Sequence, residues 1–261
     1  MNGIEQILAD MKRAFESKKR DFPAEEKKVR YPCFRCGGTG IIFTVDDGVT
    51  KAMRCPDCLH DRQVASWLRK SGISLDDYKK YTLDSFLADT KESTAMKQIA
   101  MRFLKDPKAN GIGYFGRSGS GKTHICIAIC QALGKEHHYW QYRQKIQNIK
   151  AVMYTDEKRY NELMDEARYS PYLYIDDLFK GAVVNNQANM QDVQIVFDII
   201  NARYIKHLPT IVSSEYLMSE IVRFDEAIGG RLFEMLSPYI YNTAENRRLH
   251  SMTKASIIKS M

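Results

Sequence analysis

Residues Gly116-Arg117-Ser118-Gly119-Ser120-Gly121-Lys122-Thr123 match the pattern G-x4-G-K-[ST]. At this spacing the chemistry is phosphate binding. The glycines leave room for backbone N–H groups to wrap a polyphosphate, and a helix beginning at Lys122 would turn its positive end toward it. The Lys122 ammonium would neutralise the β- and γ-phosphates of ATP, and the Thr123 hydroxyl would ligate Mg²⁺. Such a loop needs a strand to deliver it and a helix to receive it. The apolar run at 112–115 and the amphipathic stretch at 122–133 meet both demands.

A second carboxylate-bearing element is needed to hold the metal. Tyr172-Leu173-Tyr174-Ile175-Asp176-Asp177 offers an apolar strand ending in two acids and resembles a Walker B motif. Asp176 would hold Mg²⁺ through water. Asp177 stands where many such ATPases place a glutamate that polarises the attacking water, with a side chain one methylene shorter. Two acids after a strand also read as a helix N-cap, and the upstream loop favours the metal. Farther along, Thr210-Ile211-Val212-Ser213-Ser214-Glu215 is a buried-type strand ending in polar residues, and Gly229-Gly230-Arg231-Leu232 sets an arginine near a helix. The four features fall in the order of an AAA+ ATPase: Walker A, Walker B, sensor 1, arginine finger.

Over residues 75–249 the chain resembles the bacterial and phage replicative-helicase loaders of the DnaC/DnaI type. The resemblance rests on a lead-in at 82–86, Gly121-Lys122-Thr123-His124, Ile175-Asp176-Asp177-Leu178, Pro209 to Ser214, Gly230-Arg231-Leu232 and a terminal Asn246-Arg247-Arg248. Tyr174-Ile175-Asp176-Asp177-Leu178-Phe179-Lys180-Gly181 is similar to the phage-type members. The resemblance implies an AAA+ P-loop ATPase with His124 beside the nucleotide, Arg231 reaching the γ-phosphate of a neighbouring subunit, and Arg248 or its rival Arg247 as the C-terminal sensor. Sensor 1, usually Asn or Thr, falls here on Ser214 or Glu215, which implies slow turnover suited to a switch. The implied partners are a replicative DNA helicase, single-stranded DNA and further copies of the chain. A transposition helper of the IstB type shares these motifs and is the alternative. A ClpX-type unfoldase with a zinc module fits less well, and a small-molecule kinase would not account for the cysteines.

Those cysteines form a second chemical group. Cys33, Cys36, Cys55 and Cys58 are spaced C-x2-C, 18 residues, C-x2-C, the pattern of a tetrahedral Zn²⁺ site in a reducing compartment, with two disulfides or idle thiols as the other readings. In DnaI-like loaders a zinc domain in this position grips the helicase. Cys126 and Cys130 lie among isoleucines on the helix after the phosphate loop and read as core.

The elements that must position these groups follow from periodicity. An amphipathic helix is expected over 4–15, packing on the zinc module or on a partner, with a linker at 22–31 and a short helix around 64–68. Gly72 marks the expected boundary between a docking module (1–72) and the ATPase domain (73–261). Strands are expected at 112–115, 151–155, 172–175, 210–213 and 239–241, and helices at 122–133, 157–167, 192–206 and 226–236. That alternation predicts an α/β fold with a mostly parallel five-stranded sheet.

The net charge of +7 collects at the two ends: residues 1–74 hold 14 Lys/Arg against 10 Asp/Glu, and 246–261 hold four basic residues and no acid. This suits nucleic acid, an acidic partner or simple solvation alike. With no apolar run of membrane-spanning length and no secretory cleavage pattern, a soluble cytoplasmic protein is expected.

Overall fold

The computed structural model describes residues 35–36, 39–46, 49–56, 73, 75–185 and 187–244. The chain divides into two compact units, Met1–Leu59 and His60–Met261. Cys33 and Cys58, the helices expected at 4–15 and 64–68, the boundary at Gly72, and Arg247 and Arg248 lie outside the described residues.

In the first unit, β1 (Ile41–Asp46) and β2 (Val49–Arg54) form an antiparallel hairpin in which Ile41 pairs with Arg54. The hairpin brings the two cysteine segments to one residue. Gly40 donates its N–H to Cys36 Sγ at 3.2 Å and accepts the N–H of buried Cys55 at 2.9 Å.

The second unit opens with α1 (Leu75–Lys80) and α2 (Lys91–Lys105), the latter capped by Thr90, whose hydroxyl accepts the Ser93 N–H at 3.1 Å. Five strands then form one sheet: β3 (Gly111–Gly116), β4 (His138–Gln141), β5 (Leu173–Asp176), β8 (Thr210–Ser214) and β9 (Ile240–Thr243), in the order β4-β5-β8-β3-β9 with every pairing parallel. A short hairpin, β6 (Val183–Val184) with β7 (Gln187–Ala188), interrupts the alternation. The connecting helices are α3 (Lys122–Leu133), α4 (Tyr142–Val152), α5 (Glu157–Tyr169), α6 (Met190–Ile205), α7 (Met218–Phe224) and α8 (Glu226–Leu236).

Parallel strands need helices on both faces, and the apolar side chains segregate accordingly. One core gathers Phe115, Trp140, Ile175 and Val212 with residues of α4 to α8. The other gathers Ile112, Tyr114, Tyr174 and Ile211 with α2 and α3, including Cys126 and Cys130 as expected. The mostly parallel five-stranded α/β sheet is therefore as the alternation predicted. One strand was misplaced. Residues 151–155 are the end of α4 and the turn after it, where Tyr154 is exposed, and the strand lies at His138–Gln141 instead. Buried Tyr142, Ile146 and Ile149 recur at helical spacing through α4, a signal that the short apolar run at 151–153 obscured.

Candidate functional site

The strand ends of β3, β5 and β8 lie side by side at one edge of the sheet, so their C-terminal residues and the loop after β3 converge. The loop leaves β3 through Gly116 at φ 108°, where an added Cβ would collide with the Thr243 carbonyl oxygen; only glycine fits. Gly119 and Gly121 also take positive φ, and α3 starts at Lys122 with no side-chain cap, leaving its first N–H groups directed into the loop.

The loop borders a cavity of about 290 Å³ lined by Ser118, Gly119, Gly121, Lys122, Thr123 and His124 on one side and Asp177, Lys180 and Glu215 on the other, with Tyr81 at its margin. Lys122 is 5 % exposed and folds back on its own loop, donating to the carbonyls of Gly116 and Arg117 at 2.7 Å each. Burial lowers its pKa, an effect that the charges of Asp177 and Glu215 oppose. A phosphate would offer the ammonium better acceptors than these neutral carbonyls.

Thr123 Oγ1 donates to Asp176 Oδ1 at 3.1 Å. Asp176 is almost fully buried and receives three more hydroxyls: Tyr174 at 2.5 Å, Ser213 at 2.6 Å and Tyr139 at 2.7 Å. Four O–H donors thus hold one carboxylate at the base of the loop. Burial and the neighbouring Asp176 charge raise the Tyr174 and Tyr139 pKa values, so both phenols stay protonated as donors. A hard divalent cation takes this kind of oxygen set, and Thr123 with Asp176 supplies it.

Asp177 sits past the strand end in a left-handed conformation, φ 57°, with its N–H donating to Ser213 Oγ at 3.1 Å. The next element is the short β6 rather than a helix, so Asp177 is not a helix cap. Burial raises its pKa, partly offset by Lys180, whose ammonium lies 2.8 Å from Asp177 Oδ2 and 2.9 Å from Glu215 Oε1. Burial also opposes charge on Glu215, but bonds from Lys180 and Ser118 hold its carboxyl below the ordinary range.

The two sensor 1 candidates part company. Glu215 lines the cavity, whereas Ser214 is wholly buried and donates its hydroxyl to the Leu178 carbonyl at 2.8 Å, away from Asp176. It is Ser213, one residue earlier, that reaches Asp176; strand alternation puts Ser213 and Glu215 on the same side. Tyr139 carries no signal in the sequence, and Ser213, Tyr174 and Lys180 stand within the motifs without a role read for them. Lys180 had a signal, since it follows the double aspartate by three residues on a turn.

Arg231 does not line its own chain's cavity. On α8 it donates to Asn201 Oδ1 and to the Ala227 carbonyl at 3.0 Å each, its guanidinium 5.0 Å from the centre of the Phe197 ring. His124 lines the cavity and also meets the lead-in: its Nε2 lies 3.2 Å from Ser85 Oγ and 3.1 Å from the Thr82 carbonyl, and its ring packs on Tyr81 and Phe86.

No protein-family model matches the chain. Among curated proteins, the phage-like element PBSX protein XkdC of Bacillus subtilis (strain 168) is 30% identical over 250 residues, covering 91% of this chain and 91% of its own. YqaM of the same organism is 31% identical over 205 residues, 73% of this chain and 63% of its own. Among solved structures, the DnaC helicase loader superposes with a TM-score of 0.54 at 20% identity over 62% of this chain and 97% of that one. DnaI gives 0.51 at 20% identity over 67% and 94%. The replication initiator DnaA bound to AMPPCP and single-stranded DNA gives 0.51 at 18% over 62% and 49%. The chain shares its fold with the DnaC helicase loader and with the replication initiator DnaA.

Proposed function

This chain belongs to the family of the phage-like element PBSX protein XkdC, and from the chemistry of its site we propose that it is an Mg·ATP-dependent loader that engages a replicative hexameric DNA helicase and delivers it to single-stranded DNA. The carrying observation is one cavity bordered by the glycine-rich loop, Lys122 and Thr123, with the buried Asp176 carboxylate bonded to the Thr123 hydroxyl. In this reading the loop N–H groups and Lys122 hold the phosphates, and Thr123 and Asp176 hold Mg²⁺, which spreads the charge of the β- and γ-oxygens when bound. Asp177 orients the attacking water. Arg231, outside its own cavity, serves the site of the next subunit, so hydrolysis depends on assembly. DnaC and DnaI share the fold, but so would a transposition helper of the IstB type, so it is the partner and not the fold that separates the two readings.

The four-cysteine module belongs to the same proposal, as the zinc-bearing docking unit for the helicase. The hairpin supports it by tying Cys36 and Cys55 to a common residue, the convergence that tetrahedral binding of Zn²⁺ by four thiolates requires.

Capture assays with a replicative helicase and with a transposase, with and without ATP, test the partner; retention of the transposase alone would replace the loader reading. Mixing tests the assembly. An arginine finger is worth about 10³- to 10⁵-fold in rate, so Arg231→Ala should nearly silence turnover and still bind ATP, whereas Lys122→Ala should not bind it. A mixture of the two should regain hydrolysis at shared interfaces. Turnover by Arg231→Ala equal to that of the native protein would refute action in trans.

A further inference from the structure

The turn after β5 is strained and yet firmly held. Asp177, Phe179 and Gly181 take φ of 57°, 63° and 77°, a left-handed conformation that aspartate and phenylalanine adopt at a cost. Packing and hydrogen bonds offset that cost. Leu178 and Phe179 are wholly buried, with the Phe179 ring edge-on to Tyr142 and Phe224, and the Leu178 N–H donates to the Ser213 carbonyl at 2.9 Å. The Lys180 and Ala182 N–H groups close the turn on the carbonyls of Asp177 and Phe179 at 3.0 Å each. The long polar side chain at the crest of this turn is Lys180, and the turn directs it into the cavity opposite Lys122.

Resting on the nucleotide-binding reading above, we propose that Lys180 is the residue by which this site distinguishes a nucleoside triphosphate from a diphosphate. With no nucleotide it bridges Asp177 and Glu215; with a triphosphate it bonds the terminal phosphate and releases Asp177 toward the attacking water.

Charge balance requires such a group. The cavity sets the ammonium groups of Lys122 and Lys180 against the carboxylates of Asp177 and Glu215. Lys122 arrives from the loop, on the side where all bound phosphates lie. The two carboxylates line the same cavity, and Asp177, which orients the attacking water in the reading above, would stand beside the terminal phosphate and repel it. Lys180 already lies within 3 Å of both carboxylates and can bond a phosphate oxygen between them without leaving the turn. Burial acts against its charge, yet the bonds to Asp177 and Glu215 raise its pKa, so it is a cation when the phosphate arrives. A diphosphate would leave the bridge closed and Asp177 engaged.

The test measures the affinity of the full chain for Mg·AMPPNP and for Mg·ADP, in the native protein and in Lys180→Gln and Lys180→Arg. Loss of one charge-assisted bond is expected to weaken AMPPNP binding by about 10- to 100-fold in Lys180→Gln, with ADP affinity changed less than about twofold and Lys180→Arg largely restored. A purely structural ion bridge would move both nucleotides together and appear in thermal unfolding. Equal losses for the two nucleotides, or no loss for either, would overturn the role of Lys180 while leaving the nucleotide site standing. Failure of the native protein to bind both would remove the site itself and this inference with it.

Discussion

Arg203 illustrates how much one buried side chain can organise without taking part in chemistry. Its guanidinium is wholly buried on α6 and bonds only neutral acceptors: the Thr210 hydroxyl at 2.9 Å and the carbonyls of Ala167 at 3.1 Å, Ser170 at 2.9 Å and Pro209 at 2.6 Å. Burial lowers its pKa, but a guanidinium with this many acceptors remains a cation at neutral pH. The fork joins the end of α5 to the start of β8, beneath the strands that carry Asp176 and Ser213. Lysine has a point charge in place of the fork, so Arg203→Lys strands several carbonyls and should destabilise the protein by about 2–4 kcal/mol in urea unfolding. A loss under about 0.5 kcal/mol would mean that water replaces the fork at no cost.

At the scale of elements, α7 and α8 approach so closely that one glycine is required and its neighbour is not. A Cβ on Gly229 would lie 2.6 Å from the Val222 Cα and 2.9 Å from its N, both backbone atoms that cannot swing aside, whereas a Cβ on Gly230 would meet nothing within 4 Å. Gly229→Ala should therefore cost about 1–3 kcal/mol through overpacking. Gly230→Ala should gain about 0.5–1 kcal/mol from helix propensity alone. Thermal unfolding of the two variants should move in opposite directions. Parallel shifts would show that the helices part readily, and the site of Arg231, two residues on from Gly229, would then be soft.

At the scale of the molecule, metal content tests the docking role proposed for the four cysteines of the first unit. Purified under reducing conditions, the protein should contain about one zinc per chain, and Cys36→Ser should lose it. That variant should keep nucleotide affinity, since the phosphate loop belongs to the other unit. It should lose helicase capture, which would separate docking from the ATPase. Metal analysis finding no zinc in the native protein would return the four cysteines to the other readings. Among the described residues no helix is long and apolar enough to cross a membrane.

What the sequence determined by itself was whatever lies contiguous along the chain. Residues 116–123 announce a phosphate loop because glycine spacing, lysine and threonine act within one turn, and α3 and α8 were legible to the residue because their periodicity is local. The tertiary structure decided what depends on pairing across the sheet. Alternation says that Ser213 and Ser214 face opposite ways, but only the parallel register of β8 beside β5 decides that Ser213 meets Asp176 and Ser214 meets Leu178. The hydroxyls of Tyr139 and Ser213 each come to Asp176 across 37 residues of chain, a distance at which no local pattern carries information. Lys180 stood in plain view beside the double aspartate, yet its partner Glu215 follows the end of β8, and the strained turn that aims Lys180 is held by the burial of Leu178 and Phe179.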